Sequence, residues 1–291
     1  MNHQKKQLLH RLKPYLFMAP ALLLAYVFSY RPFLRTIANS FSVVNYSGQI
    51  IDFVGLENFR NLFADQNFLT SLFNTFRFAG YFVPLNLLFC LICALLVYKK
   101  RRFAAFNETL FMLPMAVAMS SAALVFRALF NPSIGVVNYL LHLNIQWFND
   151  PRWAMGMLVV LGIWMAIGLD FLLLVGALRS IPQSIMEAAE IEGAGPLTLL
   201  LRVQLPLISP TLLFIVTTRL RDSMLLSGPV MVMTEGGPLR STQTLVYHMY
   251  LEGFAGGNYS KGSAISVVVF LLTFFLILLA FRAERKGVFY Q

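Results

Sequence analysis

Charge is what this chain has least of. Of its 291 residues only 12% are charged against 58% apolar, and mean hydropathy reaches +0.68. That leaves too little polar surface to solvate a globule of this length and places the chain in a bilayer. Acid is scarcer than base, with 13 Asp and Glu against 23 Lys and Arg and a net charge of +10. The basic excess reads as membrane retention and contact with anionic lipid, not as a nucleic-acid surface. Cysteine is nearly absent: Cys90 and Cys93 form a C-x-x-C among Leu and Ile, with no second Cys or His cluster to complete a metal site. They read as small buried apolar residues. The sequence has no G-x-x-x-x-G-K-[ST] phosphate loop, no H-E-x-x-H and no G-x-S-x-G. Any nucleotide hydrolysis must then occur on another chain, and this one reads as a non-enzyme that binds no cofactor or metal.

What is present is long apolar sequence. Six runs, at about 15–30, 70–98, 106–130, 153–178, 211–233 and 263–281, read as transmembrane helices. A helix needs roughly 20 residues to cross ~30 Å of hydrocarbon, and runs this continuous do not suit the ~10-residue alternating strands of a barrel. The expected fold is therefore an all-α polytopic membrane protein with six spans. Orientation follows from Lys5, Lys6, Arg11 and Lys13 before the first run, Lys99 to Arg102 after the second, Arg179 and Arg202 beside the central loop, and Arg282, Arg285 and Lys286 at the end. With both termini cytoplasmic, thirteen of the 23 basic residues lie inside and six outside, as retention of Lys and Arg requires. The remaining four, Arg77, Arg127, Arg219 and Arg221, fall within spans. Tyr30, Arg31 and Pro32 stand where a small-residue cleavage site would follow a signal peptide, so the first run reads as a retained helix. The chain divides into a basic tail (1–14), a first helix with outer loop (15–69), a core (70–281) holding a cytoplasmic loop at 179–210, and a short tail (282–291).

That loop, from Ile181 to Pro210, carries charge and turn residues between apolar spans. Pro182 breaks the preceding helix, and Ser184 with Glu187 forms an S-x-x-E pattern that predicts a capping box and a short helix through about Glu192. Gly193 supplies a left-handed turn, Pro196 suits the first turn of a second helix, and Pro206 and Pro210 predict its end. Ala188 and Ala189 give a small-residue surface. An ordinary polar loop is the plain alternative, but one this long and this rich in Leu would be exposed without a partner.

Ionisable groups inside a bilayer are costly, so each is a candidate for function. Arg219, Arg221, Asp222, Asp170 and Arg77 all fall at mid-span depth. They are either substrate contacts or partners that hold helices together. Gly228-Pro229 marks a break in the fifth span that would free backbone groups to line a cavity. Trp164 and Phe171 share the fourth span with Asp170; they are sugar-stacking candidates or plain packing residues. Trp147 and Trp153 read as interfacial anchors.

The segment Glu187, Ala188, Ala189, three residues, Gly193, then Leu205-Pro206 resembles the EAA motif in membrane subunits of binding-protein-dependent ATP-binding-cassette importers. FVGLENF (Phe53 to Phe59), Asn74-Thr75, Leu113-Pro114, LFNPSIGVVNYLL (Leu129 to Leu141), TEGGP (Thr234 to Pro238) and TLVYHMYLEGF (Thr244 to Phe254) are similar to the maltose-transporter-like carbohydrate branch. The likeness is nearest to the first permease of sn-glycerol-3-phosphate and multiple-sugar importers. It implies a type I importer permease fold in a bacterial plasma (inner) membrane. It also implies a sister permease, a cytoplasmic ATPase dimer that binds ATP and Mg, and an extracytoplasmic solute-binding protein. Tyr46, Phe53, Trp147 and the 234–259 loop would face that binding protein. Carried onto this sequence, Glu187, Ala188, Ala189, Glu192 and Gly193 are the ATPase-docking residues, with Glu192 where the family usually has Asp. Ser223, Met224 and Leu225 stand where relatives carry aromatics in the fifth span. The resemblance implies import of a carbohydrate; three mid-span arginines against two aspartates suit an anion such as glycerol phosphate instead. A self-sufficient secondary transporter or channel is the reading of another class, and it would leave the loop without a task.

Overall fold

The structure, a computed structural model, describes residues 13, 15, 17–99 and 104–287, without the side chains of 104, 105, 107 and 283–287. Lys5, Lys6 and Arg11, and likewise Lys100, Arg101 and Arg102, lie outside the described residues, as do the side chains of Arg285 and Lys286. Two compact units form, one from Met1–Ala64 with Met249–Val268 and the other from Asp65–His248 with Val269–Gln291.

In the first unit, helix α1 (Phe17–Ser40) runs on past the expected end at residue 30. A wide, π-type turn over Tyr26–Tyr30 precedes Arg31 and Pro32. Pro32 can supply no N–H to this continuous helix, and the wide turn just before it takes up the interruption. A small antiparallel hairpin follows, β1 (Ser42–Val44) and β2 (Ile50–Phe53), with Ser42 opposite Phe53. Asn58 of α2 (Glu57–Ala64) fastens it by donating to the carbonyls of Ser40 and Ser42, both at 3.0 Å. Tyr46 and Phe53 are exposed. The same unit holds a close backbone crossing, since a Cβ built on Gly262 would lie 2.6 Å from the Cα of Gly253. Gly262→Ala is expected to overpack this crossing by about 1–3 kcal/mol, read as a lower midpoint of thermal unfolding in detergent.

The second unit is built on two long helices, α3 (Gln66–Val97) and α7 (Pro151–Ser180). Asp65 caps α3, accepting from the Asn67 amide, and Asp150 caps α7, accepting from the Arg152 amide. The Arg152 guanidinium beside Asp150 holds its carboxyl below the ordinary carboxylate value of 3.8. That cap is therefore charged at neutral pH and lost only on acidification below that value. Helix α3 rises roughly 48 Å at ~1.5 Å per residue, more than the hydrocarbon layer demands. Its buried stripe of Phe78, Phe82, Asn86, Cys90 and Cys93 recurs every three or four residues and packs on α7. Cys90 and Cys93 are free and buried in that core. Between helices in hydrocarbon, burial of apolar surface gives no net drive, so cohesion rests on close packing and polar pairs.

The third apolar run is not one rod. Helix α4 (Ala104–Met112) passes through a tight turn at Leu113–Ala116, Val117 and Ala118 become extended, and α5 (Met119–Leu129) leaves at 104°. After the short α6 (Val136–Leu140), Trp147 meets both Phe130 and Trp153 edge-on at 5.5 Å and donates to Asn138 Oδ1. The fifth run is also interrupted. The helix before it, α9 (Pro196–Leu207), includes a wide turn at Leu200–Gln204 and ends between Pro206 and Pro210, as those prolines predict. It bends by 71° at Ile208 into α10 (Ser209–Met224). The chain then unwinds at Leu225–Ser227, just before Gly228-Pro229, and resumes as a wide turn at Val230–Thr234. A further short helix, α11 (Leu245–Tyr250), precedes the last, α12 (Tyr259–Gly287). Among the described residues, four helices are long and apolar enough to cross a membrane, or up to six if each bent pair is one span.

Candidate functional site

Two places gather the residues that the sequence singles out. The first is helix α8 (Gln183–Ile191), which follows directly on α7. No capping box forms. The helix starts earlier than predicted, with Pro182 as its N-cap, so Ser184 falls inside the first turn with no capping hydrogen bond. Glu187 instead accepts from Gln183 Nε2 at 2.7 Å. The C-terminal end matches expectation. Gly193 takes φ +83°, its N–H reaches the Glu190 carbonyl, and the Ala194 N–H reaches that of Ala189. Those two bonds make a Schellman turn, which satisfies carbonyls that a helix end would leave unpaired. None of the residues in α8 is buried: Glu187 and Ala188 are exposed, Ala189 half-buried, Glu192 and Gly193 exposed. Ile191 is 87% exposed and Leu197 67%, an apolar edge beside the glycine turn.

Behind α8, one residue collects several anchors. The Tyr98 carbonyl accepts from Arg179 Nε and its hydroxyl from Gln204 Nε2, while Arg179 also pairs with Glu108. Gln204 Nε2 lies 4.0 Å from Met186 Sδ of α8. Residues of α4, α7 and α9 thus meet at Tyr98, just past the end of α3, under the exposed helix.

The second place lies mid-way along α7 and α10. Asp170, only 1% exposed, receives a two-pronged bond from Arg219 (Nε to Oδ2 3.0 Å, Nη2 to Oδ1 3.0 Å) and an amide from Asn86 Nδ2 at 2.6 Å. Arg219 also donates to Asp222 Oδ2 at 2.8 Å, and Arg221 reaches Asp222 Oδ1 at 2.9 Å. Two cations and two anions therefore close into a neutral network. A charge left alone here would carry a desolvation penalty of several kcal/mol, so the pairing is obligatory.

Arg219 and Asp222 line a cleft of about 370 Å³, with Met119, Phe78 and Phe82 on its walls and Leu225–Pro229 along one edge. The two Phe rings stack at 5.2 Å. The unwound edge stays satisfied, because Thr244 Oγ1 donates to the Leu226 carbonyl at 2.6 Å. Arg77 stands apart from the network, its guanidinium 5.7 Å from the Tyr81 ring. Trp164 tilts against Phe126 and lines a separate, wholly apolar groove of about 620 Å³. Phe171 is fully buried against Phe111 at 4.6 Å, a packing residue outside both spaces. Asn86, Phe78 and Phe82 escape the sequence reading. A polar amide inside an apolar run was the available signal for Asn86; an i,i+4 Phe pair is too common to give one.

Helices broken at mid-membrane around a polar cleft, with an exposed helix at one end held by a glycine turn, define a transport permease. Residues 86–286 match the family described as binding-protein-dependent transport system inner membrane component. The chain belongs to that family, whose members are membrane permease subunits rather than enzymes. It is 36% identical to the sn-glycerol-3-phosphate transport system permease protein UgpA of Pectobacterium atrosepticum, over 96% of both chains. The UgpA protein of Salmonella typhi is 37% identical over the same share. Among solved structures, a chain of a bacterial ABC transporter involved in import of the acidic polysaccharide alginate superposes with a TM-score of 0.85. It covers 98% of this chain and 99% of its own length, at 20% identity. A bacterial alginate ABC transporter in complex with alginate pentasaccharide-bound periplasmic protein gives 0.82, at 20% identity over 96% and 98%. The type I importer permease fold expected from the EAA segment is thereby established for the chain.

Proposed function

We propose that this chain forms part of the translocation path for an uncharged carbohydrate in an ATP-driven importer. The observation that carries this reading is the pairing of Arg219 with Asp170 and of Arg221 with Asp222. The guanidiniums beside the cleft are already neutralised, and what they offer a passing solute is donors and acceptors for hydroxyls. The stacked Phe78 and Phe82 supply a face for the apolar side of a sugar ring. The partners in this reading are a sister permease, a cytoplasmic ATPase dimer that holds ATP and Mg, and an external solute-binding protein. Both termini lie in the cytoplasm. Glu187, Ala188, Ala189, Glu192 and Gly193 dock the ATPase, supported by an α8 in which no residue is buried. ATP binding closes the ATPase dimer, α8 moves with it, and the permease pair shifts its opening from one side to the other.

A second reading takes sn-glycerol 3-phosphate as the solute, favoured by the names of relatives 36% and 37% identical across nearly the whole chain. The test is ATP-driven uptake by the complete complex in proteoliposomes, with labelled neutral oligosaccharides and labelled glycerol 3-phosphate side by side. Sugar uptake alone is the expected result; uptake of the phosphate alone moves the solute to the second reading, and uptake without ATP overturns the importer mechanism itself.

A further inference from the structure

At the end of α7 remote from α8 lies a second polar cavity, of about 290 Å³, lined by Arg127, Asn131, Phe148, Asn149, Thr234 and Glu235 among others. Arg127 sits in the last turn of α5, where its Nη1 donates to the Val232 carbonyl at 2.9 Å and stands 3.7 Å from Glu235 Oε1. Glu235 has φ +53°, a left-handed conformation that costs a residue with a side chain about 1–2 kcal/mol and favours glycine. The position closes the wide turn Val230–Thr234, a task that glycine performs without strain. A carboxylate is kept here instead. Asn131 Oδ1 already accepts from the amides of Ser133 and Ile134, so the group it can offer is its Nδ2. The cavity thus combines a carboxylate, a guanidinium, two amides and one buried aromatic wall, with no net charge.

We propose that this cavity is an entry subsite for one ring of an uncharged polyhydroxylated solute, occupied before the solute reaches the cleft at Arg219 and Asp222. The inference rests on the carbohydrate reading above. Vicinal hydroxyls donate to the Glu235 carboxylate and accept from Arg127 and Asn131, and Phe148 covers the ring's C–H face. A space close to ~300 Å³ sits at the small end of ligand pockets, enough for a single ring. Its use is to hold the solute as it leaves the binding protein, so that the solute is not lost outward before the permease turns over.

The experiment compares Glu235→Gln and Glu235→Gly with the unaltered chain in the complete importer in proteoliposomes. It measures labelled sugar imported and ATP hydrolysed under stimulation by loaded binding protein. Glu235→Gly relieves the strained backbone, so a purely structural role predicts an unchanged or sturdier protein. The expected result is sugar imported per ATP hydrolysed reduced roughly tenfold in both variants, the loss of hydrogen bonds to a charged group. Sugar import per ATP at the unaltered value in both variants overturns the entry subsite while leaving the carbohydrate reading intact. Uptake of glycerol 3-phosphate alone by the unaltered complex overturns that reading and the ligand class assigned to this cavity together.

Discussion

Replacing Gly193 by Asp is expected to leave the chain inserted in the membrane and the complex unable to import solute or stimulate its ATPase. The argument is local. A Cβ built on Gly193 meets nothing within 4 Å, so no clash inside this chain accompanies the change. What the change does is force a residue with a side chain into φ +83°, at about 1–2 kcal/mol, and place a carboxylate on the apolar edge formed by Ile191 and Leu197. Either the Schellman turn opens and α8 loses its fixed exit angle, or the charge is buried against the ATPase proposed to dock there. Both break the same joint. Gly193→Ala separates them, since it strains the turn without adding charge. It is expected to leave partial uptake, measured as ATP-driven solute accumulation alongside membrane content of the chain. Uptake at the normal rate by the Asp variant would remove α8 from the coupling path.

The second large effect is expected at Arg219. Arg219→Ala leaves Asp170, 1% exposed, with a single amide partner and an uncompensated charge at mid-membrane. Truncating one partner of a buried pair costs about 3–5 kcal/mol, so the variant is expected to accumulate poorly and unfold early in detergent. Arg221→Ala removes a cation that is 53% exposed and is expected to be mild by comparison. A paired Asp170→Asn with Arg219→Gln should restore much of the lost stability, because no charge is left unmatched. Thermal unfolding of the three purified variants, with uptake measured on those that fold, checks the ordering. An Arg219→Ala variant as stable as the unaltered chain would overturn the obligatory pairing of Asp170 with Arg219.

The two networks differ in how far the sequence disclosed them. Helices α7 and α3 lie within a few residues of their apolar runs, because a bilayer forces length and composition to agree. Gly193 was legible for a related reason: few other residues hold that turn without strain. Bends were not. Hydropathy is continuous through Val117-Ala118, so the third run read as one rod; at Ile208 the flanking Pro206 and Pro210 signalled a helix end but not that it is a bend of 71° into α10. The expected capping box failed because Pro182 starts α8 early and shifts Ser184 out of register with the first amides. At the cleft, depth alone brought Asp170, Arg219 and Asp222 to notice. Their partners Asn86, Phe78 and Phe82 sit on another helix, at sequence distances that no spacing rule reaches.

Tyr98 offers a last consequence. Its carbonyl and its hydroxyl are bonded to two different elements, Arg179 at the end of α7 and Gln204 within α9, and Arg179 extends the tie to Glu108 of α4. Mechanically, this is a shared bearing. In the coupling proposed above, a thrust on α8 would not be delivered to one helix that bends while its neighbours stay still, because Tyr98, Glu108, Arg179 and Gln204 tie four helices near one point and load would pass among them. Stiffness at that point sets how much of the stroke survives as rotation of the membrane segment, and slack there would be paid as ATP turned over without solute.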